Sequence, residues 1–431
     1  MKEMKVGYKN TEIGLIPEDW EVVSFNQLSN PNDKHSITGG PFGSNLQSKD
    51  YTLRGIRIIQ LQNIGNGKFH DDYEIFTSSK KADELKSCNI YPGEIILSKM
   101  GDPVARAAIL PNIDKRYLMC SDGIRLNVDE NYYDKKFVFY YINFEKFRKI
   151  AESFSTGSTR KRIGLSHLKQ IPFLKPSPKE QQAIASALSD IDELIANLEK
   201  LVQKKIDIKT ATMQQLLTGK KRLSGFNQKW SERYMTQDSY LKARIGWQGL
   251  TTAEYKETGK YILITGTDFK NGRIDWDSCC YVEQERYEQD KNIQIQEGDI
   301  LLTKDGTIGK VAYVDKLPEL ATLNSGVFVI RPLNNSYYPL YFYYVLRSKI
   351  FGDFLNKLQA GSTINHLYQK DFIHFSFVAP QIEEQKAIAK ILFDMDREIE
   401  SLEKQLEKAK LVKIGMMQEL LTGKTRLINK E

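Results

Sequence analysis

The chain repeats itself once, at a very long period. Glu180-Gln181-Gln182-Ala183-Ile184-Ala185 returns as Glu384-Gln385-Lys386-Ala387-Ile388-Ala389, and Leu216-Leu217-Thr218-Gly219-Lys220 returns as Leu420-Leu421-Thr422-Gly423-Lys424, each 204 positions downstream. Gly157-Ser158-Thr159 and Gly361-Ser362-Thr363 keep the same offset, Gly93–Lys99 matches Gly298–Lys304 at 205, and Trp20 answers Trp230. In a chain of 431 residues such a period means two duplicated domains, because solenoid units run only ~20–50 residues. The reading that follows is a globular part at 1–172, a helical part at 173–226, and their copies at 227–378 and 379–431.

The likeness between the halves is uneven. Roughly half the positions agree between 180–223 and 384–427, whereas the earlier segments share only a few anchors. A common scaffold carrying two different recognition surfaces explains that contrast. Plain drift is the alternative, although drift gives no reason to spare helices while erasing loops.

Ser177-Pro178-Lys179-Glu180 has the pattern of a capping box, with Ser177 at the N-cap and Glu180 reaching back. From there Ile184, Leu188, Ile191, Ile195, Leu198 and Val202 step by threes and fours. In the copy Ile388, Leu392, Met395, Ile399, Leu402, Leu406 and Ala409 do the same, flanked by Glu and Lys as in a coiled coil. Gly219 and Gly423 supply left-handed ends. Two helices of about 40 residues, or ~60 Å, carry narrow apolar stripes that must be covered. Pairing as an antiparallel coiled coil with pseudo-twofold symmetry covers both; packing of each helix on its own globular part is the other solution.

The globular parts read as mixed α and β. Ile56–Leu61 and Tyr261–Ile264 are β-type runs, and Gly93–Leu97 and Gly298–Leu302 are turns entering buried strands. Lys99–Asp102 and Lys304–Thr307 follow as exposed loops, and the aromatic runs Phe137–Phe144 and Tyr337–Tyr344 have the spacing of core helices. Gly157-Ser158-Thr159-Arg160-Lys161-Arg162 joins small donors to three adjacent cations, which suits phosphate and base-edge contacts. Its copy, Gly361-Ser362-Thr363-Ile364-Asn365-His366, exchanges the cations for Asn and His, a change that would alter the base read.

Composition narrows the function by exclusion. A net charge of +7 permits a polyanionic partner without requiring one. The four cysteines and five histidines form no ligand spacing, so no metal is expected in this chain. The charged start Met1-Lys2-Glu3-Met4-Lys5 and the lack of a long apolar run lead to the expectation of a cytoplasmic protein with no membrane partner. Gly423-Lys424-Thr425 imitates the end of a phosphate loop, but the first glycine would fall at Gln418. No Asn-Pro-Pro-aromatic stretch and no glycine-rich strand-to-helix turn is present, so no cofactor site and no catalysis are expected.

With these parts in place the chain resembles the specificity subunits of type I restriction–modification systems over nearly its whole length. The resemblance rests on Ile13–Trp20, the two Gly-Ser-Thr loops, both Glu-Gln-x-Ala-Ile-Ala openings, and the closings Met213–Leu223 and Met417–Leu427. It implies an α+β fold of two β-rich target-recognition domains, separated by two long helices that act as spacers. It further implies that this non-catalytic subunit binds a bipartite, asymmetric double-stranded DNA target. Two methyltransferase subunits and the restriction subunits would join it, with S-adenosylmethionine, ATP and Mg in those partners. A stand-alone DNA enzyme and a coiled-coil adaptor remain the competing readings; steep salt dependence of DNA binding separates the adaptor.

The DNA-contact candidates are Ser44, Asn45, Lys99, Ser158, Thr159, Arg160, Lys161 and Arg162 in the first domain, and Lys304, Thr307, Ser362, Thr363, Asn365 and His366 in the second. The candidates for a subunit interface are Ile184, Leu188, Ile195 and Leu198 on one helix and Ile388, Leu392, Ile399 and Leu402 on the other.

Overall fold

The computed structural model describes residues 6–157, 160–359 and 366–427. They form two compact units, the first made of 1–199 with 405–431 and the second of 200–404. Each long helix, Pro178–Leu216 and Ile382–Leu420, therefore gives one part to each unit.

In unit 1 a four-stranded antiparallel sheet runs in the order Ala107–Ile109, Ile95–Ser98, Gly123–Leu126, Ile37–Gly39. Beside it, Ile56–Ile59 lies parallel to Tyr117–Met119. Strand Glu21–Ser24 pairs antiparallel with Pro172–Lys175, which leads into the first long helix. The buried strand expected after the Gly93 turn is present as Ile95–Ser98 and is fully buried, as its aliphatic run requires.

Unit 2 repeats the plan. Its four-stranded sheet has the order Val311–Tyr313, Ile300–Thr303, Val327–Pro332, Ser239–Ala243. Tyr261–Ile264 lies parallel to Ala321–Leu323, and Ser231–Tyr234 pairs with Ser376–Ala379 ahead of the second long helix. The acidic residue after each repeated glycine has a structural reason. Arg125 binds Glu94 (2.8 Å from Nε) and Asp33 (2.7 Å), and Arg331 binds both oxygens of Asp299 (2.6 and 2.7 Å), tying turn to strand in either unit.

Both aromatic runs form core helices, Lys135–Ile142 and Pro339–Leu346, buried almost all round. A buried glutamine of the repeated motif holds each one. Gln181 accepts from the Asp134 N–H (2.9 Å) and Gln385 from the Tyr338 N–H (2.7 Å), while their amides donate to the carbonyls of Pro176 and Pro380.

Helix packing answers the sequence question with both solutions at once. Ile184 and Leu188 are enclosed with Trp20 and Phe137 of the globular part and with Leu420 and Leu421 of the other helix. Ile388 and Leu392 are enclosed in the same way with Tyr341, Met213 and Leu217. These four side chains are buried within their own units (0–1% exposed), so they present no surface to a separate subunit. Ile195, Leu198 and Leu402 are half-buried, and Ile399 is buried.

The helix pairing is antiparallel. In unit 1 Lys410 meets Glu199 (3.6 Å) while Lys413 meets Asp192 (2.6 Å), and in unit 2 Lys205 meets Glu398 (2.5 Å) while Lys209 pairs with Asp396. Gly219 and Gly423 end the helices at φ +70° and +69°. The capping box is only half present. Ser177 accepts from the Glu180 N–H (3.4 Å), but the Glu180 carboxylate turns inward to Trp20 Nε1 (2.9 Å) and Arg426 (2.8 Å from Nη2), because a buried indole N–H and a half-buried guanidinium hold it better than one exposed cap N–H.

Candidate nucleic-acid interface

In unit 1 three loops converge on the turn Cys120–Gly123. The Gly40 N–H donates to the Gly123 carbonyl (2.8 Å), which anchors the loop that carries Ser44 and Asn45. Only glycine fits there, since a Cβ on Gly40 would lie 1.7 Å from the Cys120 carbonyl oxygen. The Lys99 N–H donates to Asp122 (2.6 Å), and Arg162 forms an ion pair with the Asp122 carboxylate. The Ile163 N–H then reaches the Lys99 carbonyl (3.0 Å) and the Gly101 N–H the Lys161 carbonyl (3.1 Å). The lysine loop and the segment Lys161–Ile163, about 60 residues apart in sequence, are thus one backbone-paired structure.

Unit 2 has the same convergence on Leu323–Gly326. Arg244, just ahead of Ile245, donates from Nε to the Leu323 carbonyl (2.8 Å), and the Lys304 N–H donates to Gly326 (2.9 Å). The Leu367 N–H bonds the Lys304 carbonyl (2.8 Å), and the His366 imidazole is bound to Asp305 and lies against Tyr368. The backbone pairing of the lysine loop with the turn and with Ile163 or Leu367 persists between the units, while the first loop is held by the Gly40 N–H in one and by the Arg244 guanidinium in the other.

The candidates do not share one environment. Ser44, Asn45, Arg160 and Thr307 are exposed, and Arg160 has no ion-pair partner among the described residues. Lys161 is neutralised by Glu152 and Arg162 by Asp122. Lys99 is half-buried, as is Lys304, whose ammonium sits 5.3 Å from the Phe328 ring centre, so these positions are less open than the expected exposed loops. Strand ends packed on the core account for this, and burial holds the Lys304 amine below the usual lysine range. Ser158, Thr159, Ser362, Thr363 and Asn365 lie outside the described residues.

Burial, with a further contribution from the field of Arg106, lowers the Arg148 guanidinium to about 10. Asp122 and Asp305, which hold the loops together, are the residues that the sequence reading missed; Asp122 sits in a short turn with no pattern of its own, and Asp305 beside Lys304 in the expected loop. Among the described residues no group of acidic, histidine or cysteine side chains could hold a metal ion, and no helix is long and apolar enough to cross a membrane.

Two duplicated α+β units, each gathering polar and cationic loops around one turn, describe a nucleic-acid-reading protein. The type I restriction modification DNA specificity domain matches residues 17–209 and 248–411, and the chain belongs to that family, whose members are DNA-recognition components of restriction–modification enzymes. It is 24% identical to the putative type I restriction enzyme MjaX specificity subunit of Methanocaldococcus jannaschii, over 97% of each chain. It is 22% identical to the EcoBI specificity subunit of Escherichia coli, over 91% of this chain and 83% of that one. Among solved structures it is similar in fold to the S subunit of M. genitalium, with TM-score 0.58, 18% identity, and coverage of 93% and 96%. A second, from a study of type I system complex assembly and conformational transition, gives TM-score 0.56, 13% identity, and coverage of 95% and 99%.

Proposed function

We propose that each unit reads one half of a split, asymmetric DNA target, and that the chain directs partner adenine methyltransferase and restriction subunits to it without chemistry of its own. The observation that carries this reading is the duplicated loop convergence. The backbone frame is kept from unit to unit while the exposed side chains change, as expected if the two half-sites differ. The long helices act as the spacer that sets the unread gap. S-adenosylmethionine, ATP and Mg belong to the partners, two methyltransferase subunits and the restriction subunits, and the complex works in the cytoplasm.

The test is a methylome. The chain and its neighbouring methyltransferase gene are co-expressed in a host lacking adenine methylation, and modified adenines are mapped. A split, asymmetric motif that disappears when this chain is omitted is the expected result. A partner that co-purifies while no motif appears would favour a protein-binding adaptor.

A further inference from the structure

The two units share a feature that the loop chemistry above leaves unused. After the edge strand of each four-stranded sheet, Ile37–Gly39 and Ser239–Ala243, the chain leaves the sheet in a glycine-containing loop. Each loop ends in the same kind of short turn, Ser48–Asp50 or Thr252–Glu254. The Gln47 N–H donates to Asp50 (2.8 Å) in one and the Thr251 N–H to Glu254 (2.8 Å) in the other. Between strand and turn, each loop holds a large apolar side chain in solvent: Phe42, 82% exposed, and Ile245, 53% exposed.

A single exposed hydrophobic residue is ordinary. Two in corresponding loops of diverged copies are not, because drift that rewrote the neighbouring loops had no folding reason to leave an apolar group in water in both. They stand one position apart in register, since Phe42 aligns with Gly246 and Ile245 with Pro41. Both loops are also rooted at the turns where the candidate DNA loops meet, through Gly40 to Gly123 and Arg244 to Leu323. Polar groups accompany them. Ser44 and Asn45 follow Phe42 in the exposed loop, and the buried Gln248 holds a side-chain oxygen with no hydrogen-bond partner among the described residues.

We infer that Phe42 and Ile245 enter a groove of duplex DNA and make the apolar base contacts of their respective half-sites. The inference rests on the DNA-reading function proposed above. A polyanionic duplex is the occupant that fits, since Lys99 and Arg162 are bound at the same turn as the Phe42 loop, and Arg160, two residues before Arg162, is exposed with no ion-pair partner among the described residues. Proteins press such side chains against or between base pairs, where the apolar surface leaves water and the base step is deformed in a sequence-dependent way. Gly43 after Phe42 and Gly246 after Ile245 let the backbone approach closely.

The test uses the purified complex of the full chain with its methyltransferase partner, on the mapped target and on targets altered at single bases. Phe42→Ala is expected to lower the methylation rate at limiting DNA roughly ten- to hundred-fold and to relax discrimination in one half-site only. Ile245→Ala is expected to do the same in the other half-site, and Phe42→Leu to keep part of the discrimination. Both side chains are exposed, so unchanged thermal unfolding is expected and separates this effect from misfolding. Wild-type discrimination in both alanine variants, or equal weakening on every sequence, would overturn the inference while leaving DNA reading intact. A wild-type complex whose discrimination does not depend on this chain would overturn both.

Discussion

Arg426 and Glu180 are 246 residues apart in sequence and 2.8 Å apart in space, Nη2 to Oε2. Arg222 and Glu384 repeat the pair in unit 2, with both carboxylate oxygens bound at 2.7 Å. Each glutamate opens one long helix and each arginine follows the end of the other. The two best-preserved motifs of the duplication are therefore the two sides of one contact, made twice. A second pair of clusters follows the same rule. Asp192 takes the Tyr140 hydroxyl (2.8 Å) and Lys413 (2.6 Å), while Asp396 takes the Tyr344 hydroxyl (2.7 Å) and Lys209.

Removal of the arginine leaves a fully buried carboxylate with only the Trp20 indole and its own helix end. Arg426→Ala is expected to destabilise unit 1 by about 3–5 kcal/mol, the usual cost of stranding one partner of a buried pair. The double variant Arg426→Ala/Glu180→Gln should recover part of that loss, since no charge is then stranded. Denaturant unfolding, with hydrogen exchange at Ile95–Ser98 as the local reporter, checks both. A double variant as unstable as the sum of the singles would refute the coupling.

The two tryptophans should respond differently to the same change. Trp20 Nε1 donates to Glu180 at 2.9 Å, whereas Trp230 Nε1 is buried without a partner among the described residues. In both units the arginine takes both oxygens of its glutamate; the difference lies in the preceding neighbour, because Asp19 shares Arg426 in unit 1 whereas Lys229 stands before Trp230 in unit 2. Trp20→Phe is expected to cost about 1–3 kcal/mol through the lost charge-assisted bond. Trp230→Phe should stay within roughly 0.5 kcal/mol, since it removes a donor that is already unsatisfied. Equal losses would show that ring size, not the indole N–H, sets the effect.

These contacts explain what was legible in the sequence. The motifs that repeat are those that bond to each other or to the core: Glu180 with Arg426, Gln181 with a helix start, Glu94 with Arg125. Identity preserved across a duplication revealed the parts without revealing which part each touches, because partners hundreds of residues apart share no local periodicity. The capping-box reading of Glu180 failed for that reason. The apolar seams of the helices were legible, but Ile184 and Ile388 face a globular core as well as a helix, and a stripe in sequence does not say how many neighbours will share it. Asp122, Phe42 and Ile245 were illegible because these stretches carry neither period nor repeat, and Asp305 lies inside Lys304–Thr307, a loop that the sequence marks without singling it out.

Acid should weaken unit 1 through Asp33. Burial pushes its carboxyl up, but the Asn127 amide, the His35 N–H and the Arg125 guanidinium together hold it below the ordinary value of 3.8. A depressed carboxylate contributes stability that is present above the unfolded value and lost as pH falls through the lower folded one. The stability gap between wild type and Asp33→Asn should therefore be constant near neutrality and close below about pH 3.8. Asp268 in unit 2 has the opposite sign. Burial raises its carboxyl, so its contribution is present below 3.8 and lost as pH rises through the raised value. Unit-resolved hydrogen exchange across this range reads both; a gap at Asp33 that widens on acidification would contradict the assignment.

Salt separates the three adjacent cations. Lys161 is paired with Glu152 and Arg162 with Asp122, so a phosphate must compete with an acid already in place. Arg160 is exposed with no ion-pair partner among the described residues, so each phosphate it meets releases counterion at full effect. In the complex on target DNA, Arg160→Ala should flatten the dependence of log K on log salt by about 0.9, the slope of one phosphate, while leaving the preferred sequence unchanged. Lys161→Ala should change the slope less, because the lysine charge is largely balanced before DNA arrives. Binding measured by fluorescence anisotropy at several salt concentrations decides between them. A larger slope change at Lys161 than at Arg160 would mean that the Glu152 pair opens on binding, and the static charge balance would then be the wrong guide to this loop.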